Sequence, residues 1–190
     1  SDGTEKVGED KIPDEERSIK RICLLPQDPQ SNPEALEAIR EAEIIILGPG
    51  SLFTSIIPNL LIKQIANEIA QRDIMKLYIC NVMTQHGETD GFTASDHLRM
   101  LLEHGGGGIV NCCLVSSGRL QYRLLVKYAQ ERSFPVIFDR ERIKNMGISI
   151  FESDVVSKSN YLRHDSARVA KEVINIYNHH KREWRELKNK

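Results

Sequence analysis

The sequence predicts one α/β domain built on a mostly parallel sheet, and three observations carry that reading. Strand-length apolar runs alternate with helical patterns from residue 20 onward. The run Glu43-Ile44-Ile45-Ile46-Leu47 is apolar almost without alternation, as expected of a strand covered on both faces. The two most unusual loops, residues 48–55 and 81–91, each directly follow such a strand, where parallel sheets hold their ligands. A chain of 190 residues with 40% hydrophobic and 28% charged residues is long and apolar enough for a substantial core.

Each element has a local reason. Residues 1–16 are polar and acidic, and Gly3, Gly8 and Pro13 break any period, so they read as an arm or irregular loop, with the domain proper over 17–190. A strand is predicted over 20–25. Asn32-Pro33-Glu34 supplies an N-cap, a proline at the first helical position and an acid in the first turn, starting a helix to residue 41. A strand over 43–47 leads to a helix over 58–71, and a strand over 76–80 to the polar loop 81–92. Thr93-Ala94-Ser95-Asp96 matches a capping box and starts a helix over 94–104. A strand over 109–115, a helix over 119–131 and strands over 135–139 and 148–151 follow. A long closing helix places Ala170, Val173, Ile174, Tyr177, Trp184 and Leu187 on one apolar face. The run Gly105-Gly106-Gly107-Gly108 follows a helix and precedes a strand, so it reads as a flexible connection.

Composition narrows the function classes. The net charge of -1 offers no general attraction for nucleic acid, and the basic stretch 181–190 reads as a solvated helix end. The apolar runs are too short to span a bilayer and no signal segment opens the chain, which predicts a cytoplasmic protein. Cys23, Cys80, Cys112 and Cys113 lie in apolar runs without Cys-x-x-Cys spacing, so they are expected as small buried hydrophobes.

The loop Gly48-Pro49-Gly50-Ser51-Leu52-Phe53-Thr54-Ser55 has the form of a phosphate cradle. Small residues let backbone N–H groups converge, and the start of the next helix adds partial positive charge. Gly48, Gly50 and Ser51 would contact a phosphate, or else form a tight turn. Thr54 and Ser55 would donate hydroxyls to it, or else cap the helix. The second loop offers Asn81, Thr84, His86, Glu88, Thr89 and Asp90, followed by Asp96 and His97 on the next helix. These side chains would bind a polar ligand, or else satisfy loop backbone and complete the capping box. Arg163, just before the last helix, would clamp a diphosphate in bidentate fashion or form a surface ion pair. Tyr128 would stack on a base or belong to the core. Ser166 is a candidate phosphorylation point at a helix N-terminus.

Residues 47–61, then Cys80-Asn81-Val82-Met83-Thr84-Gln85, Gly87-Glu88-Thr89-Asp90-Gly91 and Ser95-Asp96-His97, resemble the bacterial gluconeogenesis factor family, which is related to the 2-phospho-L-lactate transferases. Weaker similarity runs from Gly8-Glu9 to Arg163-His164-Asp165. The resemblance implies a Rossmann-like three-layer sandwich and a cytoplasmic regulator. Such a regulator binds a nucleotide sugar of the UDP-N-acetylglucosamine type and serves gluconeogenic growth and cell shape. The alternative it implies is a transferase acting on a nucleotide diphosphate ester, with Glu88, Asp90 and His97 as acid–base groups. Where the transferases continue their glycine loop with Asn-Pro, this chain has Leu52-Phe53 after Ser51, which favours the regulator. No cofactor or resident metal is expected; Mg²⁺ held by a carboxylate against the diphosphate is the variant. No nucleic acid is expected as a partner, and a homo-oligomer is an allowed assembly. Family members also open with a strand and a Gly-Gly-Gly-Thr-Gly loop, so the chain is expected to correspond to the last three-fifths of such a protein.

Overall fold

The computed structural model describes residues 5–8, 19–157 and 161–188, with residues 182–188 described by backbone alone. Four strands, β1 Ile44–Leu47, β2 Met75–Ile79, β3 Cys112–Ser116 and β4 Ser149–Ser153, form one sheet in the order β1-β2-β3-β4. Every pairing is parallel, with Ile44 opposite Met75, Leu77 opposite Cys112 and Cys112 opposite Ser149. All four strands therefore end at the same edge, and the loops leaving them share that edge.

The two-residue repeat of the strands sorts the core onto two faces. On one, Leu47, Tyr78, Cys80, Cys113 and Val115 pack against Phe53, Ile57, Leu60, Ile69, Leu98, Leu101 and Ile143. Those residues belong to the stretch Leu52–Ile56 and to α2 Ile57–Leu60, α3 Lys63–Gln71, α4 Ala94–Gly105 and α6 Arg140–Asn145, and α1 Pro33–Glu41 adds Ile39 at the margin. On the other face, Met75, Leu77, Ile79, Cys112 and Leu114 meet Val169, Val173 and Ile176 of α7 Ser166–Lys188. A third, smaller cluster brings α5 Tyr122–Gln130 over Val82, Met83, Val156 and Leu162 through Leu124. The expected three-layer α/β sandwich is thus present. Its central strand β2 is buried at all five positions.

Several expected elements form as read. The Asn32 side chain caps α1 by accepting the Glu34 N–H, and Thr93 and Asp96 complete the reciprocal capping box of α4. Other expectations need correction. Residues 20–25 make no strand; the segment is irregular and is fastened where the Ile22 N–H donates to His104 Nε2. Residues 135–139 make only isolated bridges, Pro135 with Met83 and Ile137 with Thr93, and Asp139 then flanks the unanticipated α6. The helix expected over 58–71 is broken. A π-helical turn, Leu52–Ile56, comes first, in which the Ile56 N–H reaches back to the Ser51 carbonyl, and α2 and α3 follow as separate pieces.

The closing helix buries Val169, Val173 and Ile176 and part-buries Tyr177, whereas Ala170 and Ile174 face outward. The buried face is rotated from the expected one because the stripe is chosen by which positions meet the sheet, not by where apolar residues are densest along the helix. Trp184 and Leu187 lie outside the residues whose side chains are described, as do residues 1–4 and 9–16 of the arm; residues 5–8 are exposed. Cys80, Cys112 and Cys113 are buried as expected, with Cys112 and Cys113 on opposite faces, but Cys23 is exposed. Burial pushes the Cys80 thiol up to about 12 and the Cys112 thiol up to about 11, so both stay protonated.

Gly48 sits at φ +92°, and a Cβ there would lie 3.2 Å from Ile56 Cδ1 and 3.3 Å from the Ile79 carbonyl oxygen. A Gly48→Ala protein is expected to lose about 1–3 kcal/mol of stability, read as a lower urea midpoint at unchanged slope.

Candidate functional site

The glycine loop after β1 and the polar loop after β2 meet at the sheet edge and grip each other. Asn81 Nδ2 donates to the Gly50 carbonyl at 3.1 Å, and Ser51 Oγ donates to Gln85 Oε1 at 2.7 Å. Glu88, only 2% exposed, lies at the start of the π-helical turn. Its carboxylate accepts from the Phe53 N–H at 3.4 Å, the Thr54 hydroxyl at 3.4 Å and the Gln85 side-chain amide. One backbone donor at the start of the turn, the Phe53 N–H, is thereby met by a carboxylate of the protein itself.

The remaining predicted residues of this loop divide by their bonds. Thr84 and Thr89 are buried and hold backbone: Thr84 Oγ1 accepts from the Phe134 N–H and Thr89 Oγ1 from the Gln85 N–H. Asp90 is exposed and takes His86 Nδ1 at 2.9 Å and the Gly87 N–H at 2.7 Å, while Arg132 lies 3.5 Å from His86 Nε2. Ser55 is exposed, and its carbonyl accepts from Asn59. Among the described residues, no three His, Cys, Asp or Glu side chains converge as a metal site.

At the start of α4, Asp96 accepts from the Thr93 backbone N–H and hydroxyl, and Asp139 accepts from the Ser95 N–H and from the hydroxyls of Ser95 and Thr93. Arg142 stands 3.3 Å from Asp139 and 3.7 Å from Asp96. Although partial burial opposes it, this set of donors holds both carboxyls below the usual carboxylate range. Asp139 and Arg142 escaped the sequence reading because Asp139 read as the end of a strand and no helix was expected after it. His97 is fully buried with Nδ1 on the Thr93 carbonyl, and its Nε2 has no partner. Phe92 meets its ring edge-on at 5.6 Å.

The open space lies one strand further along. A cleft of about 360 Å³ follows the ends of β3 and β4, lined by Ser117, Gly118, Arg119, Gln121, Asp154, Val156, Ser157 and Leu162. A Cβ at Gly118 would meet the Asp154 carboxylate and lie 3.0 Å from Val156 Cγ2, so a side chain there would have to displace Asp154. Asp154 is paired with Arg168 at 2.7 Å. The sequence signal for this site was Ser116-Ser117-Gly118, a third glycine-bearing loop directly after a buried strand. Arg163, expected near a ligand, is exposed beside the cleft residue Leu162 and lies over the Tyr161 ring at 5.2 Å. Tyr128 is half-buried against the small cluster of Val82, Met83, Leu124, Val156 and Leu162. The cleft and the gripped loops are joined by His164, whose Nε2 bonds the Cys80 carbonyl at 3.1 Å. Ser166 is exposed at the first position of α7.

Comparison with known proteins matches this arrangement to a family. The profile described as 2-phospho-L-lactate transferase CofD matches residues 1–156. The chain is 45% identical over 174 residues to the gluconeogenesis factor of Halalkalibacterium halodurans, covering 91% of this chain and 54% of that protein. It is 42% identical over 176 residues to the gluconeogenesis factor of Bacillus subtilis, covering 92% and 56%. A crystal structure of a UPF0052 family protein from Bacillus halodurans superposes with a TM-score of 0.88 at 44% identity, covering 91% of this chain and 56% of that one. The chain therefore belongs to the CofD family and, within it, to the gluconeogenesis factors, as the loop motifs led us to expect. It spans about half the length of the curated relatives it matches. Among the described residues, no helix is long and apolar enough to cross a membrane.

Two measurements follow from the site. Glu88→Ala leaves the Phe53 N–H and the Gln85 amide without their charged acceptor, so it is expected to cost about 2–3 kcal/mol in chemical unfolding and to speed exchange of the Phe53 amide. Burial holds His97 and His164 below the usual imidazole value of 6.5, against the weaker upward pull of their hydrogen bonds to the Thr93 and Cys80 carbonyls. The unfolded chain thus binds protons that the folded chain refuses. Stability should be complete above pH 6.5 and fall as pH drops through and below that value; thermal melts of His97→Gln against the parent should show a shallower decline.

Proposed function

We propose that this chain forms the ligand-bearing part of a nucleotide-sugar-binding regulator that serves growth on gluconeogenic carbon sources and cell shape, with a ligand of the UDP-N-acetylglucosamine type. One observation carries the reading: an open cleft at the carboxyl ends of β3 and β4, lined mainly by apolar surface but carrying Arg119, with Arg163 at its border. Cleft and cations stand where a parallel sheet presents phosphorylated ligands. Ser117, Gln121, Asp154 and Ser157 supply hydrogen-bonding groups of the kind that hold sugar or ribose hydroxyls. The names of the relatives support the metabolic role.

The acid–base candidates favour binding over turnover. Glu88 is buried within the loop seam, His97 is fully enclosed, and exposed Asp90 is bonded to His86. The family profile is the observation that keeps a second reading, a transferase acting on a nucleotide diphosphate ester. Mg²⁺ would then accompany the diphosphate as part of the substrate. Mass spectrometry after incubation with such an ester and Mg²⁺ separates the two readings, since a transferred product would favour the transferase.

Calorimetric titration of UDP-N-acetylglucosamine should show saturable binding, and Arg163→Ala should weaken it about tenfold through loss of a charge-assisted contact to phosphate. No heat at millimolar ligand would overturn the proposal.

A further inference from the structure

Tyr161 was not singled out by the sequence, yet its ring has an unusual setting. It is 50% exposed, so it contributes little to the core. Lys127 Nζ lies 5.4 Å from its centroid and the Arg163 guanidinium carbon 5.2 Å away. Among the described residues, neither cation is paired with a carboxylate, and Asp154, the acid in the cleft wall, is already bonded to Arg168. A guanidinium that rests on an aromatic ring keeps its five N–H donors in the plane of the group, and an ammonium keeps three. The ring therefore fixes where the charges sit without consuming their hydrogen bonds.

The setting borders the cleft through Leu162. Leu162, between Tyr161 and Arg163 in the chain, lines the cleft and packs with Leu124 of α5. Gln121, the N-cap residue of α5, lines it too, and Lys127 lies about 9 Å along the same helix at about 1.5 Å per residue. We infer that Tyr161 is a positioning residue that holds Lys127 and Arg163 against its ring as a diphosphate subsite at the border of the cleft, and that Lys127 is its second cation. This rests on the nucleotide-sugar reading for the biological ligand. The subsite itself asks only for a diphosphate anion.

The experiment is calorimetric titration of inorganic pyrophosphate, and separately of UDP-N-acetylglucosamine, into the parent, Tyr161→Phe, Tyr161→Leu and Lys127→Gln. Pyrophosphate should bind the parent and Tyr161→Phe within twofold of each other. It should bind Tyr161→Leu and Lys127→Gln at least fivefold more weakly, with far-ultraviolet circular dichroism unchanged in all four. No binding of pyrophosphate to the parent, or equal binding to Tyr161→Leu, would overturn the inference. Binding of pyrophosphate with this pattern but no binding of the nucleotide sugar removes the nucleotide-sugar reading and leaves the subsite. Binding of the nucleotide sugar unaffected by Tyr161→Leu and Lys127→Gln removes the subsite and leaves that reading.

Discussion

The seam between the loops after β1 and β2 is the constraint on which the candidate site depends, and buried Glu88 is its centre. A helical turn begins with backbone donors that have no partner of their own, and here that beginning lies in the core beside Phe53. Something anionic or polar has to meet those donors. Glu88 meets the Phe53 N–H from the neighbouring loop, and Ser51 with Gln85 and Asn81 with Gly50 close the rest of the contact. These three pairings join the two loops into one wall at the sheet edge.

That wall redistributes the chemistry along the sheet edge. While the start of the π-helical turn faces an internal carboxylate, an open cleft lies beyond β3 and β4, around Gly118 and Asp154. The two regions remain mechanically linked. His164 bonds the Cys80 carbonyl at the end of β2, and Val82 and Met83 pack with Leu162 and Val156 beside the cleft.

The start of α4 follows the same logic on a smaller scale. The capping box of Thr93 and Asp96 was visible from spacing alone, but the Asp139 carboxylate that completes it arrives from a segment 44 residues beyond Ser95. Arg142, in α6, then balances the two carboxylates. Neither residue makes sense locally; both do once the bridge of Ile137 to Thr93 brings the segments together.

The sequence by itself determined the α/β class, the four strands of the parallel sheet, the caps of α1 and α4 and the family, because these rest on short-range periodicity, cap chemistry and contiguous motifs. It also located both strand-end loops. Only the tertiary structure decided what those loops touch. Glu88 reads as a ligand group in a polar loop, and burial beside the turn after β1 gives it an internal partner instead. The stripe of α7 that is buried, Val169-Val173-Ile176, depends on the pitch of the sheet beneath it. Residues 20–25 and 135–139 are apolar enough for strands, yet find no continuous edge to pair with, and hydrogen bonding in a sheet is a property of two segments and never of one.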